Sequence, residues 1–196
     1  MTDGTTETRR RRADAERNIA AILDAALTCL TRDADASIAD IAHAAGVGRM
    51  TLYGHFSTRA ELVDAVLART VTNAEALLAE VELEGVPADE ALDQLVRSTW
   101  RILAQFHSLH AAAQRELGAE RIRQRHDHVL GRVLRLIERG QREGAFRAEV
   151  PAQWLVAVFH GIVHTAAEEV NAGRLDPADA GELLATTLLA AFCPPG

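Results

Sequence analysis

The chain has 196 residues, 48% of them hydrophobic and 4% aromatic, with a formal net charge of −7. That composition excludes a disordered chain and allows one or two cores built mostly from Ala, Leu, Val and Ile. No apolar run approaches the ~18 residues of a membrane span, and the opening MTDGTTETRRRR lacks the apolar middle of a signal peptide, so a cytoplasmic protein without a membrane partner is expected. All 21 basic residues are Arg. Five of them lie between Arg9 and Arg17 against two acids, whereas seven acids and no base lie between Glu75 and Asp93. An acidic chain with its bases gathered this way can still present a basic edge. Cys29 and Cys193 stand far apart with no metal-like spacing, which suits reduced thiols in the cytosol.

Apolar residues recur at helical spacing nearly everywhere beyond residue 17, and no stretch alternates with a period of two, so the fold class expected is all-α. Residues 1–13 are polar and charged without periodicity and read as a mobile basic arm. A first helix follows from about Asp14 to Thr31, with Ile19, Ile22, Leu23, Ala26, Leu27 and Leu30 as its buried stripe. Ser37 and Asp40 have the spacing of a capping box and open a short second helix that stops at Gly46. A third spans about Gly48 to Phe56, and Thr58 with Glu61 opens a fourth that continues to about Glu82. Beyond the break at Gly85 and Pro87, helices are expected near 88–106, 108–117, 119–143, 152–172 and 177–192, about nine in all. The domains that result are 14–56, a connecting helix 58–82, and a larger helical domain 83–196.

The stretch AHAAGVGRMTLYGHF, residues 42–56, joins two short helices through a tight glycine corner, which is the form of a helix-turn-helix. Ala42 and Ala45 let the third helix cross closely, and Gly46 supplies the positive φ of the turn. Ile41, Val47, Leu52 and Phe56, with Ile38, close the core beneath. Arg49, Thr51, Tyr53 and His55 then point outward on a helix able to enter a major groove about 12 Å wide. Arg49 can read guanine in bidentate fashion, Thr51 and Tyr53 can bond phosphates or meet a thymine methyl, and His55 and Arg59 can bond the backbone. Such corners also occur as ordinary turns in all-α proteins.

The longer stretch SIADIAHAAGVGRMTLYGHFSTRAELVDAV resembles the DNA-binding segment of the TetR family of tetracycline-repressor-like bacterial regulators. The likeness is carried by Ile41-Ala42, Ala45-Gly46-Val47, Thr51-Leu52-Tyr53, Phe56, and the series Arg59, Glu61, Leu62, and it covers roughly residues 14 to 66. It implies a homodimeric regulator of transcription, a repressor released from a palindromic double-stranded operator by a small-molecule effector. Thr51, Tyr53 and His55 would contact the operator backbone, and Arg59, where the family usually has Lys, a phosphate. Gly48 stands where the family often has a Ser that caps the third helix and bonds phosphate.

The same resemblance makes the last two helices a four-helix dimer interface. Phe159, Ile162 and Val163 in one and Leu184 and Leu188 in the other cover more than one face, as a helix with two partners requires. Trp100, Phe106 and Trp154 either line an effector cavity or simply fill the core; with His107, His126 and His164 such a cavity would take an aromatic or amphipathic molecule. Six of the eight His lie in this domain. His160 and His164 stand four apart on one helix face, a spacing able to hold a metal, but no HExxH motif or fitting acid completes a set, so no metal or cofactor is expected. The Arg-rich stretch from Arg115 to Arg147 reads as a solvated helix face rather than an anion pocket. A helical metal-binding protein or metallohydrolase using these His is the alternative from another class. It lacks a nucleophile motif and paired carboxylates, so an enzyme is not expected.

Overall fold

A computed structural model describes residues 3–194 of the chain, and among the described residues it contains eight helices and no strand. They are α1 (Asp3–Arg32), α2 (Ile38–Ala44), α3 (Arg49–His55), α4 (Arg59–Ala79), α5 (Ala88–Gln105), α6 (His107–Glu143), α7 (Ala152–Asn171) and α8 (Pro177–Phe192). The all-α expectation holds. One boundary differs. The segment expected as a mobile arm is helical from Asp3, since nothing between Thr5 and Ala13 stops a helix that Arg and Glu favour; residues 1 and 2 of that arm lie outside the described residues. The break expected at Gly118 is present: α6 consists of two helices that meet at a kink there, where Gly118 takes the non-helical φ +76° and ψ 162°.

The starts of α2 and α4 are set by their side-chain caps. The Ser37 hydroxyl accepts from the Asp40 amide at 3.2 Å, while the Asp40 carboxylate accepts from the Ser37 amide at 3.1 Å, the reciprocal pair of a capping box. The Ser37 hydroxyl also donates to the Asp40 carboxylate at 2.5 Å, and this bond, with that from the Ser37 amide, holds the exposed Asp40 carboxyl below its ordinary value. Thr58 accepts from the Glu61 amide at 3.1 Å; Glu61 reaches one residue beyond the cap, to the amide of Ser57 at 2.6 Å.

Two apolar cores result, and they do not follow chain order. The first joins Ile22, Ala26 and Leu30 of α1 to Ile41, Leu52 and Phe56 and to the first half of α4, and it also recruits Leu109, Ala112, Ala113 and Ile122 of α6. The second packs α5, the later part of α6, α7 and α8 around Leu92, Ile137, Phe146 and Phe192. The beginning of α6 therefore completes the core of the N-terminal unit, although sequence order assigns it to the larger domain. Polar ties follow the same path: Asp64 of α4 accepts from both Arg121 (2.7 Å) and Arg125 of α6.

The Arg series of α6 is only partly a solvated face. Arg132 donates to the carbonyls of Leu78 and Val81, and Arg139 to those of Leu83 (2.6 Å) and Val86 (3.1 Å). The carbonyls of Val81, Leu83 and Val86 lie past the end of α4, beyond the reach of its helical bonds, and the guanidinium forks satisfy them; that of Leu78 also accepts from the Val81 amide at 3.1 Å.

Candidate functional site

The corner between α2 and α3 forms as the residues predict. Gly46 adopts φ +68°, the left-handed conformation that ends a helix at little cost only in glycine. The amides of Gly46 and Val47 donate back to the carbonyls of His43 (3.1 Å) and Ala42 (3.0 Å), closing the end of α2. Leu52 is fully buried, Ile41 and Ala42 are buried, and Val47 is half-buried, so four of the expected core positions hold the turn from below. Phe56 closes the far end of α3.

On the opposite face Arg49, Thr51 and Tyr53 are exposed and His55 is half-exposed. Tyr53 shows 46% of its surface and Met50 82%. Met50 was missed by sequence reasoning: its helical spacing allowed an inward position, yet the structure puts it beside Arg49 at the leading end of α3, where an apolar side chain can meet a thymine methyl. Gly48 is the N-cap of α3 and offers no side-chain bond, so the amides of that first turn stay free to donate to a phosphate.

Arg59 departs from its expected place. Its guanidinium donates to the carbonyls of Ala34 (2.9 Å) and Ala36 and to Glu116 (2.9 Å). All three partners lie within the fold, so this side chain ties the α1–α2 link to α6 and is not held out toward a phosphate.

A second concavity lies between α4, α5, α6 and α7. Its volume is about 90 Å³, and its wall includes Val71, Ala74 and Leu78 of α4, Thr99 and Leu103 of α5, Phe106, His126 of α6, and Phe159, His160, Val163 and His164 of α7. Of the six residues expected around an effector, Phe106, His126 and His164 are here. Trp100 is not: it is buried against α8, with its indole N–H donating to the Pro177 carbonyl at 3.0 Å. His107 turns back on α5, its Nδ1 lying 2.9 Å from the Ala104 carbonyl. Trp154 points away from the core and is 60% exposed.

The imidazoles form one cluster. His110 and His164 stack with centroids 4.5 Å apart and are bonded Nε2 to Nδ1 at 2.9 Å; His160 lies 4.1 Å and His126 5.4 Å from His164. Burial pushes His110 and His160 down to about 4 and His164 to about 2, and the neighbouring rings reinforce the shift; burial lowers His126 too, against a bond to Ile122. All four are therefore neutral near pH 7, with lone pairs available. Sequence spacing joined only His160 to His164. His126 and His110 enter from α6, and no local pattern reveals a meeting of two helices.

The residues expected in a dimer interface are corrected in the same way. Phe159, Val163, Leu184 and Leu188 are buried within the single chain, and Ile162 is half-buried. What α7 and α8 leave outside is another stripe: Trp154, Ala157, Gly161 and Thr165 on one, Leu183 (53% exposed), Thr186, Thr187 and Ala190 on the other. The apolar residues chosen from the sequence were the stronger hydrophobes, and the chain's own core claimed them first.

Comparison with known proteins agrees with this geometry. Residues 22–66 match the family described as bacterial regulatory proteins, tetR family. Over 162 residues the chain is 28% identical to the HTH-type transcriptional repressor LfrR of Mycolicibacterium smegmatis, covering 81% of this chain and 82% of that one. The fold is similar to the crystal structure of LfrR in complex with proflavine, at a TM-score of 0.65 and 23% identity over 92% of this chain and 98% of that one. It is also similar to the regulator FadR from Bacillus subtilis in complex with stearoyl-CoA, at 0.72 and 18% over 87% and 97%. The glycine corner, the buried turn core and the outward α3 all lie within the segment that matches the tetR family of bacterial regulatory proteins.

Proposed function

We propose that this regulator is a homodimeric repressor that binds a palindromic operator and is released by a small molecule. The observation that carries the reading is α3 itself, a short helix with Arg49, Met50, Thr51 and Tyr53 exposed above a closed core. Two such helices related by a dyad would address successive major grooves, and their separation would set the half-site spacing. The relative LfrR is named a repressor, which supports the direction of regulation. Proflavine in that protein and stearoyl-CoA in FadR support an apolar or amphipathic effector. The cavity beside α4 is its place; at about 90 Å³ it must widen to admit a molecule of that size, since ligand pockets begin near ~300 Å³. Widening there displaces Val71, Ala74 and Leu78 of α4, the helix separated from α3 by only three residues, and so changes the separation of the two reading helices.

Selection of bound sequences from a random DNA pool tests the operator. A symmetric consensus is expected, and recovery of no symmetric element would overturn the reading. On that operator Arg49→Ala should cost about 1 kcal/mol and relax preference at one base position. Tyr53→Phe should weaken all operators alike, by a comparable amount, without altering preference. Salt-dependent binding titrations of both variants check the contrast.

The dimer is expected on the stripe that the structure leaves outside. Small residues at Ala157 and Gly161 permit close helix approach, and Trp154 with Leu183 supply the large apolar contacts. Changing Leu183→Arg together with Trp154→Ala should convert the dimer to a folded monomer with much weaker operator binding. Sedimentation and circular dichroism of the double variant measure both properties.

A further inference from the structure

The imidazole cluster has a build that an apolar effector site does not require. His126 uses its Nδ1–H on the Ile122 carbonyl, at 2.7 Å, which leaves Nε2 as a lone-pair nitrogen. His164 Nδ1 and His110 Nε2 share one proton at 2.9 Å, and in the tautomer with His164 as donor its Nε2 too keeps a lone pair. His160 Nε2 is buried and has no hydrogen-bond partner among the described residues. One nitrogen from each of these three rings lies within 4.8 Å of the others. Three ring nitrogens converge here, and one of them, His160 Nε2, is buried without a hydrogen-bond partner, a costly arrangement for a protein interior. A cation shared among them removes that cost.

We propose that His126, His160 and His164 bind a divalent transition-metal ion of the zinc class. Three imidazoles and no carboxylate or thiolate suit zinc and its neighbours rather than calcium or magnesium, which take oxygen ligands. The bonds from His126 to the Ile122 carbonyl and from His164 to His110 are the outer partners that orient ligating imidazoles and fix their tautomers. In a tetrahedral site with Zn–N near ~2.0–2.1 Å, ligand nitrogens stand roughly 3.4 Å apart, so ring rotations on α6 and α7 close the remaining gap. A water or other small ligand would complete the set from the cavity that these three rings line. A bound ion would also join α6 to α7. The inference rests on these side chains and not on the repressor reading, which DNA binding by metal-free protein reports separately.

The test is titration of tag-free, chelator-stripped full-length protein with cobalt(II), followed by its visible ligand-field bands, and then zinc competition for the same site. One ion per chain with the spectrum of a four-coordinate centre is expected. His160→Ala and His164→Ala should each weaken binding by about 100-fold, and His128→Ala, on an exposed ring of the same α6, should leave it unchanged. Absence of stoichiometric binding by the wild-type protein overturns the proposal whether or not the variants fold. So does an X-ray absorption spectrum of the zinc-loaded wild type that shows sulfur in the ligand shell, since that places the ion at Cys29 or Cys193.

Discussion

Gly140→Ala is expected to cost about 3–5 kcal/mol of stability, the scale of losing a buried Phe. Gly140 lies in the last turns of α6, where helix propensity alone favours Ala over Gly by about 1 kcal/mol. Packing reverses the sign. A Cβ at this position would fall 2.1 Å from the Phe146 ring, a distance no pair of carbons tolerates. Phe146 cannot step aside cheaply: it is 1% exposed, meets Phe192 edge-on at a centroid distance of 6.0 Å, and is turned inward by Gly144 at φ +77°. The amides of Ala145 and Phe146 both donate to the Gly140 carbonyl, at 2.9 and 3.1 Å, so the turn and the glycine are tied together. Thermal unfolding should show a loss of about 10 °C. In a Phe146→Ala background the same change should be neutral or slightly stabilising, because the clash is gone and the propensity remains. A full loss in both backgrounds would refute the steric account.

Asp64→Ala should cost about 2 kcal/mol and weaken the hold of α4 on α6. The carboxylate is 17% exposed and accepts from both Arg121 and Arg125; deletion leaves two guanidinium groups facing each other without their shared anion. The bond from Arg125, opposed by burial and joined by that from Arg121, lowers its pKa to about 2 from 3.8. A carboxyl with a depressed pKa stabilises the folded state fully above its unfolded value and loses that contribution as pH falls through its folded value. Wild-type stability should therefore shed about 1–2 kcal/mol from this group between pH 3.8 and 2, after allowance for solvent screening. The variant should lack that portion of the acid dependence. Denaturant titrations of both proteins across this range measure the difference, and identical acid limbs would show that Asp64 is not held by the two arginines.

The first prediction concerns a contact within one turn and the second a contact between helices, and the same division between local and distant contacts runs through the whole molecule. Local sequence determined the all-α class, the capped starts of α2 and α4, and the glycine corner, because caps and turns involve residues within about four positions and obey backbone sterics. It determined the outward face of α3 as well, since burying Leu52 on so short a helix leaves Arg49, Thr51 and Tyr53 outside. Tertiary packing decided which of several apolar stripes met the chain's own core. It turned Phe159, Val163, Leu184 and Leu188 inward, left Trp154 and Leu183 outside, and gave Arg59 to two backbone carbonyls and Glu116. It also brought His110 and His126 from α6 against His160 and His164 from α7. Helical periodicity gives the orientation of a residue about its own axis, and only the packing of one helix on another states what that residue will face.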